Sequence, residues 1–189
     1  MFYIEFKTLD SQSIMAGYTA GSNTATVNTG TADSITKTGS PNSNTSGTNA
    51  MKYRGIENLW GNPWQIVDGI NIKDHVAYVS RDASKYTSDK FDESYKKVGY
   101  TNSNANGYVE ELGYDSNYPY VNLPISTVSA HDTSIYKDYY YQYSGNRIAL
   151  VGGDWYHSNY AGISYWYLYV VSSYTGTTVG SRLVKVPIE

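Results

Sequence analysis

Cysteine is absent from the 189 residues. Its absence removes disulfides, thiolate metal sites and cysteine nucleophiles together. It does not fix a compartment, because virion proteins assembled in a reducing cytoplasm also avoid disulfides. Charge is sparse, at 16% of residues, and the net value is −3. No basic excess exists to displace counterions from a phosphate backbone, so nucleic acid is not expected as a partner. No run of about 18 apolar residues occurs, so no membrane insertion is expected. The three histidines, His75, His131 and His157, lie far apart without ligand-like spacing, and neither a metal nor a cofactor is expected. There is no P-loop, Gly-rich dinucleotide fingerprint or G-x-S-x-G elbow. No fixed-period repeat and no helix-period segment of real length is evident. No leader is visible either. Met1 opens directly on a strand-like alternation, FYIEF, which reads as a segment of a longer protein.

What the chain has in excess is tyrosine. Of 22 Tyr, 11 lie between Tyr136 and Tyr174. Mixed with Ser, Gly and Asn, tyrosine at that density is the composition of a paratope. Each ring offers contact area and a hydroxyl while only two χ angles must be frozen. From Arg147 to Val186 two kinds of residue alternate. Gly152, Gly153, Trp155, Ala161, Gly162, Gly180, Ser181, Arg182 and Leu183 read as a frame. Asp154, Tyr156, His157, Tyr160, Tyr165, Tyr167, Tyr169, Tyr174, Gly176 and Thr178 read as a display between the frame positions. In an extended Tyr165–Tyr169 segment, Tyr165, Tyr167 and Tyr169 share one face and Trp166 and Leu168 turn to the core.

The length suits one domain spanning residues 1–189. Residues 2–6 fit a strand. Residues 17–49, rich in Thr, Ser, Gly and Asn, read as a long polar surface loop or insert, too poor in apolar groups to order itself. A short helix ending near Asn58 or Leu59, then a strand through Trp64–Val67, is expected. Gly61-Asn62-Pro63 and Asp68-Gly69 are turn signals, the second typical of a tight hairpin. Val76–Ser80 reads as a strand, and residues 82–118 as loops with one short helix. Ile148–Val151 and Arg182–Val186 read as the last strands, the latter closing a display region at 147–186. Trp64 and Trp155 are expected to be buried.

Three motifs occur in order: Gly61-Asn62-Pro63-Trp64, Gly152-Gly153-Asp154-Trp155 and Gly180-Ser181-Arg182-Leu183. Over residues 50–189 this pattern resembles the C-type lectin fold in its formylglycine-generating-enzyme-like branch. More narrowly, it is similar to the variable proteins of diversity-generating retroelements and to phage tail-tip receptor-binding proteins. The resemblance implies an α+β, strand- and loop-rich domain with few short helices and with paired N- and C-terminal strands. It implies a non-catalytic adhesin that recognises a cell-surface protein or glycan, on a virion tail tip or a cell surface. A homotrimer is implied by the tail-tip relatives. Retroelement mutagenesis acts on adenines, turning asparagine codons into Tyr, His, Asp, Ser, Thr, Gly or Val. Asp154, Tyr156, His157, Tyr160, Tyr167, Tyr169, Val170, Tyr174, Gly176 and Thr178 all belong to that set.

Two enzymatic readings compete. A formylglycine-generating oxidase needs a cysteine pair, which this chain lacks. A carbohydrate-active enzyme needs paired carboxylates. Glu110, Glu111, Asp68, Asp132 and Asp154 are available, but their spacing does not single out a pair. The tripeptide through which many C-type lectins hold calcium is missing, so metal-independent binding is expected. Each Tyr also has a plain alternative, as one residue of a strand with one buried and one solvated face.

Overall fold

The computed structural model describes residues 1–20, 26–42 and 45–181. It is a small strand-rich domain built on a curled sheet, with only two short α-helices among the described residues. The strands are β1 (Lys52–Tyr53), β2 (Ile56–Glu57), β3 (Trp64–Lys73), β4 (Val76–Val79), β5 (Lys96–Lys97) and β6 (Gly107–Leu112). They continue with β7 (Pro124–Val128), β8 (Tyr139–Gln142), β9 (Asn146–Gly152), β10 (Gly162–Leu168) and β11 (Val179–Gly180). β1 and β2 pair alone. The large sheet runs β5-β4-β3-β9-β10-β8-β6-β7, and β11 pairs with β3. Most ladders are antiparallel, but β10 with β8 and β11 with β3 are parallel.

The period-2 alternation of strands divides the interior into two layers. Ala149, Tyr140 and Leu168 join Ile70, Ile72, Val79, Val109 and Leu123 on one side. Ile148, Leu150 and Tyr165 join Trp64 on the other. β3 would leave this pattern if it were regular. Opposite β9, the register jumps from Val67↔Ala149 to Asn71↔Ile148, so Asp68-Gly69-Ile70 form a bulge. The bulge re-phases the strand and lets Ile70 and Ile72 enter the same core as Val67. The expected hairpin at Asp68-Gly69 is therefore overturned. The reversal comes at Asp74-His75, both with positive φ, as a two-residue turn of type I′ requires.

A second such turn, Arg54-Gly55, joins β1 to β2 where a short helix was expected. The first segment is corrected in the opposite sense. Phe2–Phe6 is a helix closed by Lys7 in the left-handed conformation. In FYIEF the positions i and i+4 face the same way in a strand and in a helix. Position i+2 decides, and Ile4 is exposed while Phe2 is buried. Phe2 packs on Phe6, Tyr53 and Trp60 in a third cluster with Met15 and Met51. The N-terminal element thus cannot supply the expected strand pairing of the two ends, and Arg182–Val186 lies outside the described residues. The strands expected at Val76–Ser80 and Ile148–Val151 are present as Val76–Val79 and Asn146–Gly152. Residues 82–118 contain a 3-10 turn at Ala83–Lys85 and also β6, which the polar composition concealed.

Within the polar 17–49 segment, the stretch from Val27 to Ala32 is held by side chains from outside it. The Glu57 carboxylate accepts from the backbone N–H groups of Gly30 (2.8 Å) and Ala32 (2.7 Å). The Asn62 amide both accepts from Val27 N and donates to Val27 O, each at 2.9 Å. These bonds satisfy backbone groups that the loop, lacking a core of its own, could not.

Beneath β10, Asp138 is completely buried and accepts from Ser164 N (2.6 Å) and Ser11 Oγ (3.1 Å). Burial pushes its carboxyl well above the ordinary 3.8, against the two hydrogen bonds. A raised acid favours the protonated folded state. Its contribution to stability is complete below the unfolded value and is lost as pH rises through the elevated folded one. Asp138→Asn keeps an acceptor for Ser164 and removes the charge. Its stability relative to wild type is expected to climb between pH 4 and 8, measured by paired thermal melts. A pH-independent difference would contradict this account.

Candidate functional site

β10 carries the centre of the site. Its parity places Tyr165 and Tyr167, with Tyr169 just beyond the strand, on the face opposite Trp166 and Leu168, as the alternation predicts. β8 lies parallel beside it, Trp166 level with Tyr140 and Tyr167 with Tyr141. Same-face residues therefore meet across the two strands. The Tyr141 and Tyr167 rings stack at 5.5 Å and 15°. Tyr169 sits 5.3 Å from Tyr141 and 5.6 Å from Tyr143.

Trp64, at the start of β3, is the floor of this arrangement. Its ring meets Tyr165 at 4.6 Å, Tyr167 at 4.9 Å and His157 at 5.0 Å. From Tyr165 the contacts pass to Tyr139 (6.2 Å), on to Tyr160 (4.5 Å), and through Tyr108 to His131 (5.2 Å). The result is an unbroken run of rings from Tyr143 to His131. Tyr139, Tyr141, His157, Tyr160, Tyr165, Tyr167 and Tyr169 enclose an open cleft of about 450 Å³.

The loop from β9 into the site is set by two glycines. Gly152 and Gly153 both have positive φ, and a Cβ on Gly153 would lie 2.6 Å from Ala161. They deliver Asp154 into a buried position, where Oδ1 accepts from Tyr156 N (2.9 Å) and lies 2.5 Å from His157 Nδ1. A carboxylate only accepts, so Nδ1 is the donor in this bond. The first two sequence motifs meet here, and the stretch that leads into the third runs beside them. Gly61 N donates to Gly152 O (3.2 Å), Trp155 N to Asn62 O (2.8 Å) and Trp64 N to Thr178 O (2.7 Å). Val179 is level with Trp64 in the β11–β3 ladder.

The display residues do not form one exposed face. Tyr156 is 73% exposed, and Tyr160 and Tyr169 are 40% and 41% exposed. His157 and Tyr167 are half-buried. Tyr165 is only 2% exposed and Asp154 is buried, so both are corrections to the expected surface. Tyr165 is a wall of the cleft anchored on Trp64. Asp154 acts through His157. Tyr174, Gly176 and Thr178 lie on the stretch leading to β11 and, like Tyr156, are not among the cleft-lining residues. Trp155 is buried, as expected. Sequence reasoning missed Tyr139, Tyr141 and Tyr143. Their odd-numbered alternation around buried Tyr140 was a visible strand signal, but nothing local says that β8 docks beside β10.

Burial, and then the neighbouring phenol of Tyr141, push the Tyr167 hydroxyl up to about 12. Burial likewise raises Tyr165 and Tyr139. All three are therefore neutral phenols at physiological pH, able both to donate and to accept. No cluster of three or more His, Asp or Glu suited to a metal occurs among the described residues. Neither a scan of protein-family models nor a search of curated proteins finds a significant match to this chain.

Proposed function

We propose that this chain is a non-catalytic display protein, a C-type-lectin-like variable protein of a diversity-generating retroelement or a phage receptor-binding adhesin. In this reading it recognises a cell-surface protein or glycan from a virion tail tip or a cell surface. A homotrimer would multiply weak single contacts. One observation carries the reading: the continuous run of aromatic rings that surfaces at Tyr143, Tyr169 and Tyr160 around an open cleft. Exposed aromatic clusters of this extent mark interaction sites, and tyrosine is among the commonest binding hot spots. The junction of the Gly61–Trp64 and Gly152–Trp155 segments beneath the cleft also supports it, since it separates a frame from the residues displayed on it. Asp154 and Val170 belong to the adenine-mutable set but are buried. Diversity is proposed to fall on the exposed members, Tyr156, Tyr160, Tyr169, Tyr174 and Gly176.

Tyr160 and Tyr169 flank the cleft, each about 40% exposed. A Tyr160→Ala/Tyr169→Ala variant is expected to lose binding to the cells that the labelled wild type stains in flow cytometry. It should lose some stability with the ring contacts of both residues, about 1–3 kcal/mol, and remain folded at the staining temperature. Equal staining by the variant, or no staining of any cell panel by wild type, would remove the proposal.

A further inference from the structure

We infer that the cleft takes a neutral saccharide unit, held by ring faces and phenol hydroxyls without a metal; this rests on the display reading above. The first observation is the state of the hydroxyls. Tyr139, Tyr141, Tyr165, Tyr167 and Tyr169 all line the cleft. None of their hydroxyls donates to, or accepts from, any described residue, whereas other buried or half-buried phenols are bonded, Tyr140 to Ser103 O and Tyr100 to Val121 O. Tyr165 is decisive. The residue is 2% exposed, yet its unpartnered hydroxyl is not among the sealed polar atoms. The hydroxyl is thus the part of Tyr165 that opens on the cleft. A buried polar side chain aimed into a cavity without a protein partner is built for a ligand that supplies one.

The second observation is charge. No Lys, Arg, Asp or Glu lines the cleft. An anionic ligand would find no guanidinium or ammonium to replace its hydration, and a cation would find no exposed carboxylate. Asp154 beneath the floor is occupied by His157 and Tyr156 N. A neutral ligand with many hydroxyls and apolar C–H faces matches what remains. Its hydroxyls meet the phenols and the His157 ring, and its C–H faces meet the aromatic rings, which stand at angles from 15° to 85° to one another. A pure hydrocarbon would leave the phenols unsatisfied on burial.

The test uses the intact chain on a printed array of neutral oligosaccharides and their sialylated and uronic-acid counterparts, with and without a chelator. Wild type is expected to bind neutral members and spare the acidic ones, with no effect of the chelator. Tyr165→Phe/Tyr167→Phe removes two hydroxyls and no protein hydrogen bond. It should bind roughly tenfold more weakly at an unchanged melting temperature. Should Tyr165→Phe perturb folding, Tyr167→Phe alone carries the comparison. Binding to no neutral glycan, a preference for acidic glycans, or wild-type affinity in the Phe variants overturns the inference. Cell staining separates the two failures. If Tyr160→Ala/Tyr169→Ala abolishes staining and the Phe variants do not, the surface binds through ring faces alone and only the saccharide assignment falls. If neither affects it, the display reading falls as well.

Discussion

Trp64→Ala is expected to destabilise the protein by about 3–5 kcal/mol, the range for removing a large buried aromatic. For a chain of this size that is a fall in melting temperature on the order of 10 °C. The size of the effect follows from what the indole holds. It is 3% exposed and packs against Tyr165, Tyr167 and His157 at once. It also opens β3 at the point where β11 joins. Aromatic contacts of this kind add about 0.5–1.5 kcal/mol each beyond area burial. The cavity would leave the cleft without a floor, so ligand binding should be lost in the molecules that remain folded. Trp64→Phe, which keeps a ring, should restore part of both. A wild-type melting curve for Trp64→Ala would show that the aromatic run is surface decoration and carries no structural load.

Gly162→Ala is expected to be as severe, for a different reason. The backbone there is ordinary, and space is the constraint. An added Cβ would sit 2.0 Å from Asp138 Oδ1 and 2.1 Å from Ser11 Oγ. Both partners are completely buried and bonded to each other. The methyl group can be admitted only by parting β10 from the helix Ser11–Ile14 or from the start of β8. Overpacking costs about 1–3 kcal/mol, and leaving a buried carboxyl without its partners adds about 1–3 kcal/mol more. We expect an insoluble protein or one melting at least about 10 °C lower. Gly180→Ala is the matched control. Among the described residues a Cβ there meets only ordinary contacts, with Pro63 and Trp64 O, and stability should move by less than about 0.5 kcal/mol. Similar melting of the two variants would contradict the packing described around Asp138.

The control bears on how far the sequence could be read. Gly152 and Gly153 were legible as glycines because their positive φ leaves little choice. Gly180 looked equally necessary in its motif, and nothing among the described residues requires glycine there. The alternation of Tyr165, Tyr167 and Tyr169 against Trp166 and Leu168 was legible because a strand has a fixed period. The same rule failed at FYIEF, where five residues are too few to separate period 2 from period 3.6 without knowing that Ile4 faces solvent. Asp68-Gly69 carried the usual residues of a tight turn. Tertiary packing used them for a bulge instead, with Tyr86 lying against the bare Gly69 Cα. The site was half legible. Its β10 wall and His157 were in view, but the β8 wall depends on a parallel pairing between strands whose sequences contain no sign of each other.

That long-range pairing has a temporal side. The longest ladder of the sheet is the one in which Gln65 meets Val151 and Lys73 meets Asn146. During synthesis β3 emerges first and has no β9 to join for on the order of 10 s, at ordinary elongation rates. Throughout that interval Trp60, Trp64, Ile70 and Ile72 have none of their final partners from β9 and β10. Non-local sheets of this kind also close slowly once complete, in milliseconds to seconds. The nascent chain therefore passes through a period in which its future floor is bare, and its yield in a cell is expected to depend on chaperone supply more than its final stability would suggest.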